Sequence, residues 1–396
     1  MIYFAVLFLL LILTVRYDIN GKTEYRDQWY NTVLIILILI AGFRFRLGED
    51  TIYYITFFYH DFPELNDITI DTFLSSDQPP LWILLNSIVK TFGGRFFVVQ
   101  LIQAAILNTL MLKYFRKHSP YPFACVALYL LWRYQWFSMV VMKAAIALAI
   151  ILYANDYFLD KKYIKGLILM VIAICFHQSS IVLIVIPFLL FLRFNVLGIA
   201  FLVGAFLFGA FLQSQLGDVF ALFEASEGLS DKLDDYMNNS DFTEQTHNLN
   251  FFIVNITPQI VYPILSIVYL KRNCRDSKIL RFEPILVIAL MFQMMQFSID
   301  LMYRFLYALS PYYILFFIHF FFDFSQNSLP LKKSLAFARS FIVLFPLIVS
   351  ITYCWRPFTH EDFNPYSSIF ERSIDKEREN HYKEIKLNYR LNRNEY

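Results

Sequence analysis

Apolar runs of about 15–22 residues recur along the whole of this chain, each near the length that crosses a hydrocarbon core of about 30 Å. A soluble core has no room for so many. The rest of the composition agrees: 58% of the 396 residues are hydrophobic and 17% charged, against about 25% charged in an ordinary soluble domain. The expected fold is therefore all-α, a polytopic transmembrane helical bundle of about 12 spans.

Polar and proline-containing connectors divide the runs into candidate spans at 2–15, 29–45, 95–112, 121–140, 141–158, 163–178, 179–192, 195–213, 249–270, 282–300, 303–323 and 336–354. The membrane domain then covers 1–354, followed by a polar C-terminal tail at 355–396. The N-terminus has no basic region before its apolar run and no small-x-small cleavage site after it, so it reads as the first span.

Lys and Arg concentrate in cytoplasmic connectors. Five connectors are basic: Arg16/Lys22/Arg26, Lys113/Arg116/Lys117, Lys161/Lys162/Lys165, Lys271/Arg272/Arg275/Lys278 and Lys332/Lys333/Arg339. Two long connectors are acidic and should lie outside: 48–78, with Glu49, Asp50, Asp61, Glu64, Asp67, Asp71 and Asp77, and 214–248, where Lys232 stands among carboxylates. The two sets agree if the apolar segment 79–92 does not cross. The tail's arginines and lysines pull against that count, so its side is left open, as is the crossing of 79–92.

The formal charge of +2 gives no global field that would favour nucleic acid. Cys125, Cys175, Cys274 and Cys354 are widely separated and form no zinc or disulfide pattern. No Asp-x-Asp metal pair or glycine-rich phosphate loop is seen, so no metal or cofactor is expected.

An ionisable group at membrane depth costs at least about 2.5–3.5 kcal/mol, so each calls for a partner or a task. The chain offers few: Arg44 and Arg46 at the end of the second span, Lys143 between apolar stretches, His177 after Phe176, and Asp300 with Arg304 between two late spans. In this topology all meet at the outer face. Cations grouped there suit a phosphate or pyrophosphate, because an arginine offers it a planar fork. A carboxylate or imidazole beside them could take a proton from an attacking hydroxyl. Plainer roles stand alongside: headgroup snorkelling or pairing with Glu49 and Asp50 for the two arginines, an interhelical hydrogen bond for His177, and an i,i+4 ion pair for Asp300 and Arg304.

Several segments, taken in order, resemble the EpsG family of exopolysaccharide assembly proteins, which are similar to Wzy-type polymerases. Gly42-Phe43-Arg44 through Gly48-Glu49-Asp50-Thr51 and Tyr54 looks like the family's Arg-x-x-x-Gly-x-Asp-x-x-x-Tyr segment, and Pro79-Pro80 opens a following apolar stretch. Phe176-His177-Gln178-Ser179-Ser180 is similar to its Phe-His-x-Ser block, Tyr303-Arg304-Phe305-Leu306-Tyr307 to its late arginine span, and Asn364-Pro365-Tyr366 to its terminal Pro-Tyr motif. Where the family usually has Arg-Gln before an alanine-rich helix, this chain has Met142-Lys143-Ala144-Ala145. The charge survives there and the planar fork does not.

The resemblance implies a polymerase of the bacterial inner membrane. It would move glycan from undecaprenyl pyrophosphate onto a lipid-linked repeat unit, alongside a flippase and a chain-length regulator. Arg44, Arg46, Lys143 and Arg304 would hold pyrophosphate, Asp50 or His177 would be the base, and Asp300, Tyr54 and Tyr366 are further candidates. A flippase or exporter of lipid-linked oligosaccharide, an O-antigen ligase and a membrane acyltransferase are the alternatives.

Overall fold

The computed structural model describes residues 2–48, 50–223, 259–299, 302–326 and 363–384, without 374, 375, 377 and 381. The described chain is helical, and apart from one isolated antiparallel bridge between Arg44 and Ser368 no strand pairing occurs among those residues. It divides into two compact units, Met1–Ile184 with Cys354–Tyr396, and Val185–Tyr353.

The first unit begins with α1 (Ile2–Leu13), prolonged by a π-helical turn over Thr14–Ile19, and α2 (Arg26–Gly42). Three short helices follow: α3 (Thr51–His60), α4 (Ile70–Leu74) and α5 (Pro80–Thr91). Then come α6 (Phe96–His118), α7 (Pro122–Trp132), α8 (Met142–Leu159) and α9 (Tyr163–Phe176).

Helices α2 and α6 run antiparallel. At one end the Tyr30 hydroxyl donates to the Leu112 carbonyl at 2.7 Å and Arg116 pairs with Asp27 at 2.7 Å. At the other, Gly42 lies so close to α6 that an added Cβ would come within 2.9 Å of the Leu101 Cα. Residues 43–95 therefore leave and return at the same end of the bundle. With 12 residues, α5 is roughly 18 Å long, well short of a hydrocarbon core.

Helix α8 runs parallel to α6. Gln103 near the start of α6 donates to the carbonyls of Phe137 (3.2 Å) and Met142 (3.4 Å), while Asp156 near the end of α8 receives both Lys117 and His118 from the end of α6. The connectors carrying Arg26, Arg116 and Lys117 thus gather at one end of the unit, and the Arg44 loop lies at the other.

The second unit holds α10 (Ile186–Leu189), α11 (Val196–Phe223), α12 (Tyr262–Asn273), α13 (Glu283–Gln296) and α14 (Tyr303–Gln326). Aromatic contacts join α12 to α14, as in Tyr262 with Phe317 at 5.2 Å, and α13 to α14, as in Phe292 with Phe305 at 5.7 Å. The Glu283 carboxylate takes the Lys271 ammonium at 2.9 Å and the Phe194 N–H at 2.7 Å.

Six helical stretches among the described residues are long and apolar enough to cross a membrane, and three apolar ones are shorter. These make the chain a multi-pass membrane protein. About twelve spans were expected, and the described residues do not reach that number. Two of the expected runs are interrupted: Arg133 and a π turn over Trp136–Val140 break 121–140, and 179–192 is a 3-10 run followed by the four-residue α10. The expected span 336–354 and the start of 249–270 lie outside the described residues, as do 224–248 of the second acidic connector. Its first ten residues continue α11 to Phe223 instead of forming a loop.

Candidate functional site

The loop from Phe43 to Asp50 is built around a buried arginine. Arg44 has no exposed surface, and a buried guanidinium needs acceptors. Its Nη1 donates to the Ala41 carbonyl, its Nε to Leu47 O at 3.2 Å, and its Nη2 to Met139 O at 3.4 Å and the Met142 Sδ at 3.2 Å. Ala41 lies in the last turn of α2, where carbonyls have no partner within the helix. Met139 lies in the π turn before α8. One side chain thus closes carbonyls from two interrupted helices. The Thr51 hydroxyl joins it, donating to Leu47 O at 2.6 Å and lying 3.0 Å from Met139 O.

Gly48 lets the loop pass over that carbonyl. Its φ is +94° and a Cβ there would fall 2.3 Å from Met139 O, so both conformation and space require glycine. The sequence segment from Arg44 through Gly48 to Tyr54 therefore has an architectural basis. Asp50 precedes α3, and its carbonyl receives the Tyr54 N–H at 3.1 Å. Tyr54 is buried against the edge of Trp82 at 5.6 Å. Burial pushes its phenol well above the ordinary range, Asp50 adds to that, and Arg44 opposes it.

The C-terminal tail returns to this loop. The Phe45 N–H donates to Ser367 O at 2.8 Å and the Ile369 N–H to Phe43 O at 2.9 Å, while the Tyr366 hydroxyl donates to Ile40 O, also at 2.9 Å. Burial pushes the Tyr366 phenol up to about 12, Arg44 lowers it and Glu371 raises it. The hydroxyl is therefore a settled donor near neutrality. The described part of the tail thus lies at the same end as the Arg44 loop, a placement left undecided by its charge.

Between loop, tail and α6 lies a cavity of about 280 Å³ lined by Arg44, Arg46, Arg95 and Arg372, with Gln100 and Tyr382 among its other walls. Among the described residues, no carboxylate lines it. Arg46 (φ +51°) and Arg372 (φ +50°) are both left-handed, and Arg95 stands at the N-terminus of α6, the positive end of the helix dipole. Gln100 is 3% exposed, and its amide Nε2 has no hydrogen-bond partner among the described residues. Buried donors are normally satisfied, so such an amide at a cavity wall suits a ligand acceptor.

Of the residues singled out in the sequence, Arg44 and Arg46 meet in this cavity and Tyr366 anchors one of its walls. Lys143 follows the Met142 that receives Arg44, and its ammonium donates to Gln78 Oε1 at 3.0 Å. His177 ends α9 in an extended conformation, half-buried, with its N–H on Ala173 O at 2.9 Å. The preceding Phe176 packs on a buried cluster containing Tyr54, Trp82 and Met142. Asp50, Tyr54, Lys143 and His177 are not lining residues of the cavity. Arg304 belongs to the second unit, exposed at the start of α14 with its Nε 3.4 Å from the Tyr303 hydroxyl, and Asp300 lies outside the described residues.

Arg95, Gln100, Arg372 and Tyr382 escape a reading of the sequence. Arg95 looks like the polar edge of a span and the other two charged or aromatic groups like parts of a solvated tail. The Gly93-Gly94 turn before Arg95 is the one local hint that α6 begins there.

Neither the curated proteins nor the solved structures offer a match to this chain. The family model described as "EpsG family" matches residues 27–374, a stretch that includes the Arg44 loop, α6 and the tail through Arg372. The chain belongs to the EpsG family.

Proposed function

We propose that this protein is a polysaccharide polymerase of the bacterial cytoplasmic membrane, transferring a growing glycan from undecaprenyl pyrophosphate to a lipid-linked repeat unit at the outer face. The observation that carries this reading is the cavity at the Arg44 loop, with four guanidinium groups and no carboxylate among its described lining residues. Planar forks of this kind suit the oxygens of a pyrophosphate better than ammonium groups do. Family membership and the membrane-spanning helices support the same assignment.

In this mechanism an acceptor hydroxyl oxygen attacks the anomeric carbon of the donor glycan. The bond from that carbon to the pyrophosphate oxygen breaks, and its electron pair leaves with undecaprenyl pyrophosphate. Arg46 and Arg95 meet the charge that develops on the leaving group. Arg44, whose donors are engaged by carbonyls and a thioether, holds the loop that presents Arg46. The hydroxyl proton passes to the Asp50 carboxylate or the His177 imidazole. Lys143 and Arg304 are further cations for the lipid-linked substrates. A flippase that delivers repeat units and a chain-length regulator would be its partners.

The test is the size distribution of lipid-linked glycan in cells lacking the protein, complemented with wild type or with Arg46→Ala, Arg95→Ala, Lys143→Ala, His177→Ala or Arg304→Ala at matched expression. Loss of long polymer, with single repeat units held on the carrier at the outer face, is expected for the null strain and for Arg46→Ala. Repeat units trapped at the inner face would make the protein a flippase. Long polymer unchanged on its carrier would make it a ligase or place it in another pathway.

A further inference from the structure

The tail does more than cover the cavity, because two of the groups that face it come from the tail. After Ile369 pairs with the loop, the chain turns back on itself: the N–H groups of Glu371 and Arg372 both donate to Ser368 O, at 3.2 and 2.8 Å. This turn puts Arg372 into a left-handed conformation that glycine or asparagine would adopt more cheaply. Arg46, on the loop side of the cavity, is left-handed as well, and these are two of the four non-glycine residues with positive φ among the described residues. Strain held at two arginines of one cavity indicates that their side chains are needed there.

The tail then continues to Arg378, whose guanidinium donates to the carbonyls of Asn364 (Nη2) and Pro365 (Nη1, 3.2 Å) and ties the segment back to its own first turn. Beyond it, the Tyr382 ring lies 3.8 Å from the Arg46 guanidinium carbon. A flat guanidinium held against an aromatic face keeps its N–H edge free to meet an anion in the plane. The family match ends at residue 374, so Arg378 and Tyr382 lie beyond it.

We infer that the C-terminal tail is a working wall of the anion site, in which Arg372 contacts the bound phosphoryl group directly and Tyr382 is a positioning residue that aims Arg46. The inference rests on the cavity being the pyrophosphate site. Three guanidinium forks, from Arg46, Arg95 and Arg372, together with the Gln100 amide, offer donors to both phosphoryl groups of a pyrophosphate. That group can be borne on a polyprenyl lipid or arrive as the free anion.

The experiment uses the full chain in lipid nanodiscs, with inorganic pyrophosphate and farnesyl pyrophosphate as probes in a calorimetric titration. Wild type is expected to bind both, with farnesyl pyrophosphate tighter if the headgroup of a lipid is the natural occupant. Arg372→Ala should weaken both by roughly tenfold, the size of one lost charge-assisted hydrogen bond. Tyr382→Ala should weaken them by about threefold and Tyr382→Phe should restore wild-type affinity, since stacking needs the ring alone. Each variant is first checked for an unchanged thermal midpoint, and the Phe variant separates loss of aim from loss of folding.

If Arg46→Ala and Arg95→Ala abolish binding while Arg372→Ala and Tyr382→Ala bind as wild type does, the tail inference falls and the cavity assignment stands. If wild type binds neither probe, the assignment of the cavity falls and takes the tail inference with it. Binding of inorganic pyrophosphate alone, still weakened by Arg372→Ala, would keep the tail as a wall of the site and overturn the lipid-linked reading of its occupant.

Discussion

Two arginines, separated by one phenylalanine, have different surroundings: Arg44 is enclosed and Arg46 lines the cavity. Arg44 is fully buried among carbonyls, and removing it orphans buried acceptors at about 1–3 kcal/mol each. Arg44→Ala should therefore give little folded protein in detergent, as judged by yield on size exclusion. Arg46→Ala should give normal yield and thermal midpoint with long glycan lost, so that stability and polymer length separate the two residues cleanly. Gly48 allows an equally direct test. A methyl group there would meet Met139 O at 2.3 Å on a backbone with φ +94°. Gly48→Ala is expected to cost about 2–4 kcal/mol, summing left-handed strain and overpacking, measured as a fall in the unfolding midpoint. The segment holding these residues stood out in the sequence because charge next to an apolar run is conspicuous. What did not stand out was the difference between them, since an arginine buried on carbonyls and an arginine lining a cavity look the same without their surroundings.

At the scale of elements, the close approach of α2 to α6 brings the Arg44 loop to the start of α6, where the cavity lies. Gly42 brings the two backbones together, and the added Cβ would strike the Leu101 Cα region as well as its side chain. Gly42→Ala in an isolated helix would gain up to about 1 kcal/mol. Here the sign should reverse, to a loss of about 1–3 kcal/mol by overpacking, read from thermal unfolding of the purified protein. At the opposite end, Asp156 joins α8 to α6 through Lys117 and His118. Asp156→Asn should loosen that junction by about 1–3 kcal/mol, seen as faster hydrogen exchange at the ends of α6 and α8. Helix α6, α8 and the late helices were legible as long apolar runs. The breaks were less so: Trp136–Val140 and Gln178–Val185 are as apolar as the helices around them, and composition alone cannot distinguish a π or 3-10 stretch from a regular span.

The whole molecule is discontinuous along the chain. Its first unit is made of residues on both sides of the second, and the cavity joins parts separated by more than 250 positions, from Arg95 to Arg372. A linear reading weighs neighbours, so it grouped Arg44 with Arg46 and recognised neither Arg95 nor Arg372 as part of the site. The tail ambiguity had the same source: its charge suggested one side of the membrane and its pairing with Phe43 and Phe45 fixes it to the Arg44 loop.

That pairing also sets a clock on biosynthesis. A ribosome making this chain releases the Arg44 loop more than 300 residues before the Ser367–Ile369 segment that pairs with it. Until then the loop has one wall missing, so a nascent or prematurely stopped chain sits in the bilayer with most of its helices and without a finished site. The cavity beside the loop would thus be closed only once the Ser367–Ile369 segment has been made.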